Sequence, residues 1–183
     1  MLAIDELKTM QKNAVLLHSK SEVEEAIDRV AQQVTEKMGD EHPVLLCAMT
    51  GALTFMGQLI TKLNFLLQTD YIHTSRFRGE MTGGNLEWIS KPTIELKDRT
   101  ILVVEDILDS GITLAAIKDY CYKQEAKEVY SAVLVDKDHP REEGGVKEAD
   151  FTGLYVEDKF LIGYGLDYRG FFRNLAGIYA VES

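Results

Sequence analysis

Apolar positions along this chain fall into two patterns, short unbroken runs and longer stretches with three- and four-residue steps. Val23, Ile27, Val30, Val34 and Met38 follow at helical steps and stop before Gly39, which predicts an amphipathic helix, with Ser21-Glu22-Val23-Glu24 read as its capping box. After His42-Pro43, the unbroken run over 44–49 predicts a strand buried on both faces. Thr50-Gly51-Ala52 then reads as a turn into a helix with Leu53, Met56, Ile60 and Leu63 inward. Strands are expected over 65–73 and 85–89, and the polar, glycine-bearing segment between them reads as a mobile loop or the tip of a long hairpin. Pro92 and Lys97-Asp98-Arg99 mark turns. Further strands are expected over 129–135, 151–156, 159–164 and 178–181, with a charged surface loop before Asp150 and a glycine-rich loop over 165–174.

The stretch that organises the rest is 101–114, Ile-Leu-Val-Val-Glu-Asp-Ile-Leu-Asp-Ser-Gly-Ile-Thr-Leu. Four apolar residues, too few for a helix, fit a strand of a parallel sheet covered on both sides. Adjacent carboxylates, Glu105 and Asp106, arrive at its C-terminal end, and Asp109-Ser110-Gly111 makes a tight turn. A helix follows, with Ile112, Ala116, Ile117 and Tyr120 as its expected apolar face. Such strand ends are where open α/β sheets bind ligands. Gly111 permits close backbone approach, and the free amides of residues 110–113 at a helix start suit a phosphate monoester. The two acids would repel a phosphate in the same cradle, so they suit neutral hydroxyls or a metal ion instead. A phosphorylated sugar offers both kinds of group.

Composition narrows the partners. A length of 183 residues suits one domain, and 45% hydrophobic residues is the share of a folded globular protein. A formal net charge of −10 disfavours general binding to nucleic acid or anionic membrane and favours small-molecule work. Cys47 and Cys121 lack metal-ligand spacing and read as buried, reduced thiols, which fits a cytoplasmic protein. The N-terminal residues lack the basic start and apolar core of a signal peptide, and no apolar run reaches membrane-spanning length.

The segment Val103-Val104-Glu105-Asp106-Ile107-Leu108-Asp109-Ser110-Gly111-Ile112-Thr113 resembles the phosphoribosyl pyrophosphate motif of type I phosphoribosyltransferases, and its Asp109 is most like the hypoxanthine-guanine branch. Neither the Walker loop nor the dinucleotide fingerprint occurs. The resemblance covers about 44–174 and implies an α/β fold, a mainly parallel twisted sheet flanked by helices with a small hood of short strands. The expected organisation is one domain over 1–183, its hood formed by the N- and C-terminal segments. The implied reaction is purine salvage, the transfer of a phosphoribosyl group to N9 of hypoxanthine or guanine to give IMP or GMP and pyrophosphate.

Roles carry over residue by residue. The resemblance makes Asp109 the group that handles a proton near N7 of the base, and Glu105, Asp106, Ser110, Gly111, Ile112 and Thr113 the ribose and phosphate contacts. Thr50-Gly51 stands at the pyrophosphate loop, where many members have a lysine in place of Thr50. Lys137, after the strand over 129–136, matches the lysine that meets the 6-oxygen of the purine; an ammonium only donates, so it favours an oxopurine over adenine. Phe160 matches the stacking residue, Leu161 a backbone contact to the base edge, and Asp167 both a purine-binding position and a magnesium ligand beside Glu105 and Asp106. Arg173 matches an arginine that reaches pyrophosphate, with Arg169 close enough in sequence to leave the choice open. Ser75, Arg76 and Phe77 belong to the lid, with Arg76-Phe77 where Ser-Tyr is usual. His73 and His139 read as structural or surface residues, and Trp88 as hairpin packing. Small-molecule substrates, magnesium and a homo-oligomer, dimer or tetramer, are the implied partners. A non-catalytic regulator that binds the same ligands is the alternative, and preference among hypoxanthine, guanine and xanthine stays open.

Overall fold

Unbroken apolar runs have no solvent-facing side, so they are stable only as inner strands with cover on both faces. A computed structural model, which describes residues 4–76 and 86–181, places them that way. In chain order the elements are α1 (Ile4–Asn13), β1 (Val15–His18), α2 (Lys20–Met38), β2 (Val44–Met49), α3 (Leu53–Ile60), β3 (Gln68–Arg76) and β4 (Leu86–Ser90). They continue as β5 (Thr100–Leu108), α4 (Ile112–Lys123), β6 (Glu128–Asp138), β7 (Phe151–Glu157), β8 (Phe160–Ile162) and β9 (Ile178–Val181). Among the described residues a six-stranded sheet runs in the order β4-β3-β2-β5-β6-β7. Its strands are parallel except β4, which returns antiparallel to β3 as the expected hairpin. A three-stranded antiparallel sheet, β1-β9-β8, stands apart from it.

Two features of this topology position everything else. The connection from β2 through α3 leads to β3 on one side, and the connection from β5 through α4 leads to β6 on the other. The neighbours β2 and β5 therefore feed opposite halves of the sheet, and a crevice opens between their C-terminal ends. Register sharpens this opening: the β2–β5 ladder stops at Cys47 and Val104, whereas β5 stays paired with β6 as far as Leu108 and Asp136. Glu105 and Asp106 are thus inside a strand, just beyond the point where it loses one neighbour, rather than after the strand as its apolar run suggests. Lys137 likewise lies within β6, opposite Val156 of β7, and not beyond the strand end.

Both helix faces differ from the expected ones. In α3 the inward stripe is Ala52, Phe55, Met56, Leu59 and Leu63, while Leu53 is 55% exposed. The sequence supports either stripe, because both share Met56 and Leu63; burial of Phe55, the largest side chain available, decides between them. In α4 the buried residues are Leu114, Ile117 and Cys121, and Tyr120 instead packs its ring 5.0 Å from that of Trp88 on β4.

The start of α2 is also displaced from the expected box. Ser19 caps the helix: Glu22 Oε2 accepts from Ser19 N at 2.7 Å, and Glu22 N donates to Ser19 Oγ at 3.4 Å. The Ser-x-x-Glu spacing occurs at both 19–22 and 21–24, and the end of β1 at His18 selects the first. Ser19→Ala should therefore cost about 1 kcal/mol in a urea titration, and Ser21→Ala distinctly less; equal losses would contradict this cap.

Candidate active site

The crevice between β2 and β5 is a cavity of about 220 Å³ in which seven expected site residues meet: Thr50, Gly51, Glu105, Asp106, Thr113, Asp167 and Arg173. Thr74 of β3, which the sequence reading passed over, also lines it. The walls touch through glycines. A Cβ on Gly51 would lie 1.8 Å from Asp106 Oδ2, and one on Gly165, whose φ is +103°, would lie 2.0 Å from the Gly51 carbonyl oxygen. The pyrophosphate-loop position, the acidic pair and the turn over 163–165 thus meet only because both positions lack a side chain.

Burial beside these backbones pushes the Asp106 carboxyl up to about 6. Arg173 and the amides of Asp106 and Ile107 act against that shift, and Asp167 adds to it. Arg173 donates to the Gly165 carbonyl and pairs with Asp167 Oδ1 at 2.7 Å, while Asp167 Oδ2 accepts from Gly170 N at 2.5 Å. Arg169 instead lies over the Tyr168 ring, 5.3 Å from its centroid. Of the two arginines left open by the sequence, Arg173 is the one at the cavity.

A second cluster continues from the same strand. Asp109 Oδ1 is buried without a hydrogen-bond partner, and Lys137 Nζ lies 3.4 Å away at ion-pair distance. Lys137 also pairs with Asp158 Oδ1 at 2.7 Å, and His139 Nδ1 lies 2.9 Å from Asp158 Oδ2. Burial works against the lysine charge, but Asp158 and Asp109 outweigh it and hold the ammonium above the usual lysine range. Asp158 in turn is held below the usual carboxylate range by Lys137 and then His139. Asp158 was not legible in the sequence, where it is one acid in a charged turn. Nearby, Phe160 is 49% exposed with its ring edge-on to Tyr168 at 5.7 Å, whereas the Leu161 side chain is buried opposite Ala180.

The phosphate-cradle residues occupy a helix start. Gly111 has φ +79° and precedes α4, whose first amides have no partner inside the helix. Ser110 is buried, and its hydroxyl accepts from Ile112 N at 3.4 Å. A Cβ on Gly111 would meet the backbone of Val146 at 2.3 Å, so a larger residue there collides with the neighbouring loop as well as with any anion. Of the lid positions, Ser75 and Arg76 end β3 opposite Glu87 and Leu86, and Phe77 lies outside the described residues.

A family model described as "Phosphoribosyl transferase domain" matches residues 16–169. The hypoxanthine-guanine-xanthine phosphoribosyltransferase of Tritrichomonas foetus is 32% identical over 160 residues, covering 87% of each chain. The hypoxanthine-guanine phosphoribosyltransferase of Bacillus subtilis is 32% identical over 161 residues, 87% of this chain and 88% of the relative. This chain belongs to the hypoxanthine-guanine phosphoribosyltransferase family. A crystal structure of a hypoxanthine phosphoribosyltransferase from Staphylococcus aureus superposes with a TM-score of 0.87 at 25% identity, covering 95% of both chains.

Against that family, the cavity is notable for Thr50 at its pyrophosphate-loop position, which leaves Arg173 as the cation lining it among the described residues. The oxygen donors Glu105, Asp106 and Asp167 suit a hard cation, but among the described residues no three acidic, His or Cys groups converge as a metal cage. They fit magnesium in the mode where one or two carboxylates and substrate oxygens share the ion.

The raised Asp106 has a cost with a definite pH window. Its folded value near 6 lies above the ordinary 3.8, so the folded state pays for ionisation, and the penalty grows as pH rises from about 4 through 6. Asp106→Asn should stabilise the protein by up to about 3 kcal/mol above pH 6, with the gain gone below pH 4. Thermal melts across this range test it, and a pH-independent difference would contradict the assignment.

Proposed function

We propose that this protein transfers the phosphoribosyl group of phosphoribosyl pyrophosphate to N9 of a 6-oxopurine, hypoxanthine or guanine, releasing IMP or GMP and pyrophosphate. The observation that carries the reading is the buried Asp109 oxygen without a hydrogen-bond donor, set beside an ammonium at Lys137. A purine with a protonated N7 supplies the missing donor, and its 6-oxygen supplies an acceptor for Lys137 in place of Asp158. An adenine amino group at that position would leave the ammonium facing another donor. The relatives' activities on hypoxanthine and guanine, stated in their names, support the same chemistry.

In this reading the 5′-phosphate rests on the amides of Ser110, Gly111, Ile112 and Thr113, and Phe160 covers the base. Glu105 and Asp106 accept hydrogen bonds from the ribose hydroxyls, which orients the ring for attack at its anomeric carbon. As the glycosidic bond to pyrophosphate breaks, positive charge builds on the ribose and negative charge on the leaving group. Arg173 and the Thr50-Gly51 backbone meet the leaving pyrophosphate, and Asp109 takes or holds the N7 proton as N9 attacks. Magnesium, held by Asp167 with Glu105 and Asp106, would neutralise charge on the pyrophosphate. Closure by the segment of Ser75, Arg76 and Phe77 would keep out water, the competing nucleophile.

The same reading includes one domain over 1–183, with β1, β8 and β9 as the hood, and a homo-oligomer in the cytoplasm. Exposed Leu53 and Tyr71 beside Met49 support burial of that apolar face against a second copy. Buried thiols support a reducing compartment: burial pushes Cys47 to about 11 and Cys121 to about 12, so both are protonated and unpaired at neutral pH. Among the described residues no helix is long and apolar enough to cross a membrane.

Asp109→Asn removes the proton-accepting charge while nearly preserving shape. Its single-turnover rate with hypoxanthine should fall by about a hundredfold to ten-thousandfold, roughly 3 to 5 kcal/mol of barrier, with nucleotide affinity largely kept. An unchanged rate would remove Asp109 from the mechanism, and a wild-type protein silent with every oxopurine would favour a regulator that only binds.

A further inference from the structure

Asp109 and Lys137 act together only if their spacing is fixed, yet Asp109 follows β5 and Lys137 lies on β6, each beyond the last rung between those strands. The β5–β6 ladder ends at Leu108 and Asp136, one residue before each. What spans the gap is Arg141, at the start of the loop that follows β6. Its side chain is 13% exposed, and it pairs with the carboxylate of Asp136, itself 10% exposed.

The guanidinium reaches both ladder ends at once. Arg141 Nη1 lies within hydrogen-bond distance of the carbonyl oxygens of Asp109 at 2.7 Å and Lys137 at 2.8 Å, and more loosely of Leu108 at 3.2 Å and His139 at 3.3 Å. Nη2 donates to Asp136, and Nε donates to the Lys147 carbonyl at 3.2 Å. One planar, permanently charged fork thus ties the backbone of the proton-handling aspartate to that of the base-facing lysine. A lysine could keep the ion pair but not this spread of donors.

The phosphate turn has separate anchors. Ser110 O accepts from Glu142 N at 3.1 Å, and Gly111 O accepts from Val146 N at 3.1 Å and Ala115 N at 3.0 Å. Loss of the guanidinium therefore bears on the Asp109–Lys137 spacing before it bears on the anion cradle.

Resting on the proposed function, we infer that Arg141 is a positioning residue: it touches no substrate and sets the distance between Asp109 and Lys137, hence the fit of the purine. Asp136 orients it by neutralising its buried charge.

The test compares wild type with Arg141→Lys, measuring calorimetric binding of GMP and of ribose 5-phosphate, kcat/KM for hypoxanthine, and the melting temperature. GMP spans both clusters, whereas ribose 5-phosphate engages only the phosphate and ribose side. In Arg141→Lys, GMP affinity and kcat/KM for hypoxanthine should each fall roughly tenfold to a hundredfold, the loss expected of a small misplacement. Ribose 5-phosphate affinity should stay at the wild-type level. Unchanged GMP affinity, or an equal loss for ribose 5-phosphate, would overturn the inference. If wild type turns over no oxopurine, the proposed function falls, and the two binding measurements still decide the role of Arg141. Should Arg141→Lys melt early, Arg141→Ala takes its place: millimolar guanidinium, but not ammonium, should restore GMP binding, and failure to do so counts against the inference.

Discussion

The constraint on which the site depends is the reversal of connection between β2 and β5. Neighbouring strands that feed opposite halves of a sheet must part at their C-terminal ends, and here they part at Val104. From that residue onward β5 carries Glu105 and Asp106 along one wall of the opening, and Asp109 follows just after its end. The glycines at 51 and 165 are consequences of the same opening, because the turn after β2 and the turn over 163–165 must approach the acids from the other side. Without the reversal the acids would face a third strand, and their charge would have no use to offset its burial.

Charge at the site is then shared between neighbouring groups. Asp106 is strained toward protonation by burial and by Asp167, and Arg173 works against that strain while also holding Asp167. Across the site, Lys137 is shared between Asp109 and Asp158, and Asp158 is shared between Lys137 and His139. Each pairing leaves one member able to exchange its protein partner for a ligand group. The buried Asp109 oxygen is the exception that invites a donor from outside.

Much of this was legible in the sequence because strand burial and motif spacing are local properties. The runs over 44–49 and 101–104 predict inner strands, and the acidic pair followed by Asp109-Ser110-Gly111 predicts the loop that serves them. What failed did so where two local patterns competed. Two overlapping Ser-x-x-Glu spacings compete for the α2 cap, and two overlapping apolar stripes compete in both α3 and α4; tertiary packing chose in each case. Asp158 and Arg141 carry no local signal at all. Each is a charged residue in a charged loop, and only the approach of β5, β6 and β7 gives it partners.

One ligand should bridge the two clusters, and a crystal structure with GMP bound decides whether it does. The phosphate should lie on the amides of Ser110, Gly111, Ile112 and Thr113. The base should lie against Phe160, with its 6-oxygen on Lys137 in place of Asp158 and N7 facing Asp109. A phosphate seated elsewhere, or a base lying away from Lys137 while that lysine keeps its pairing with Asp158, would contradict it.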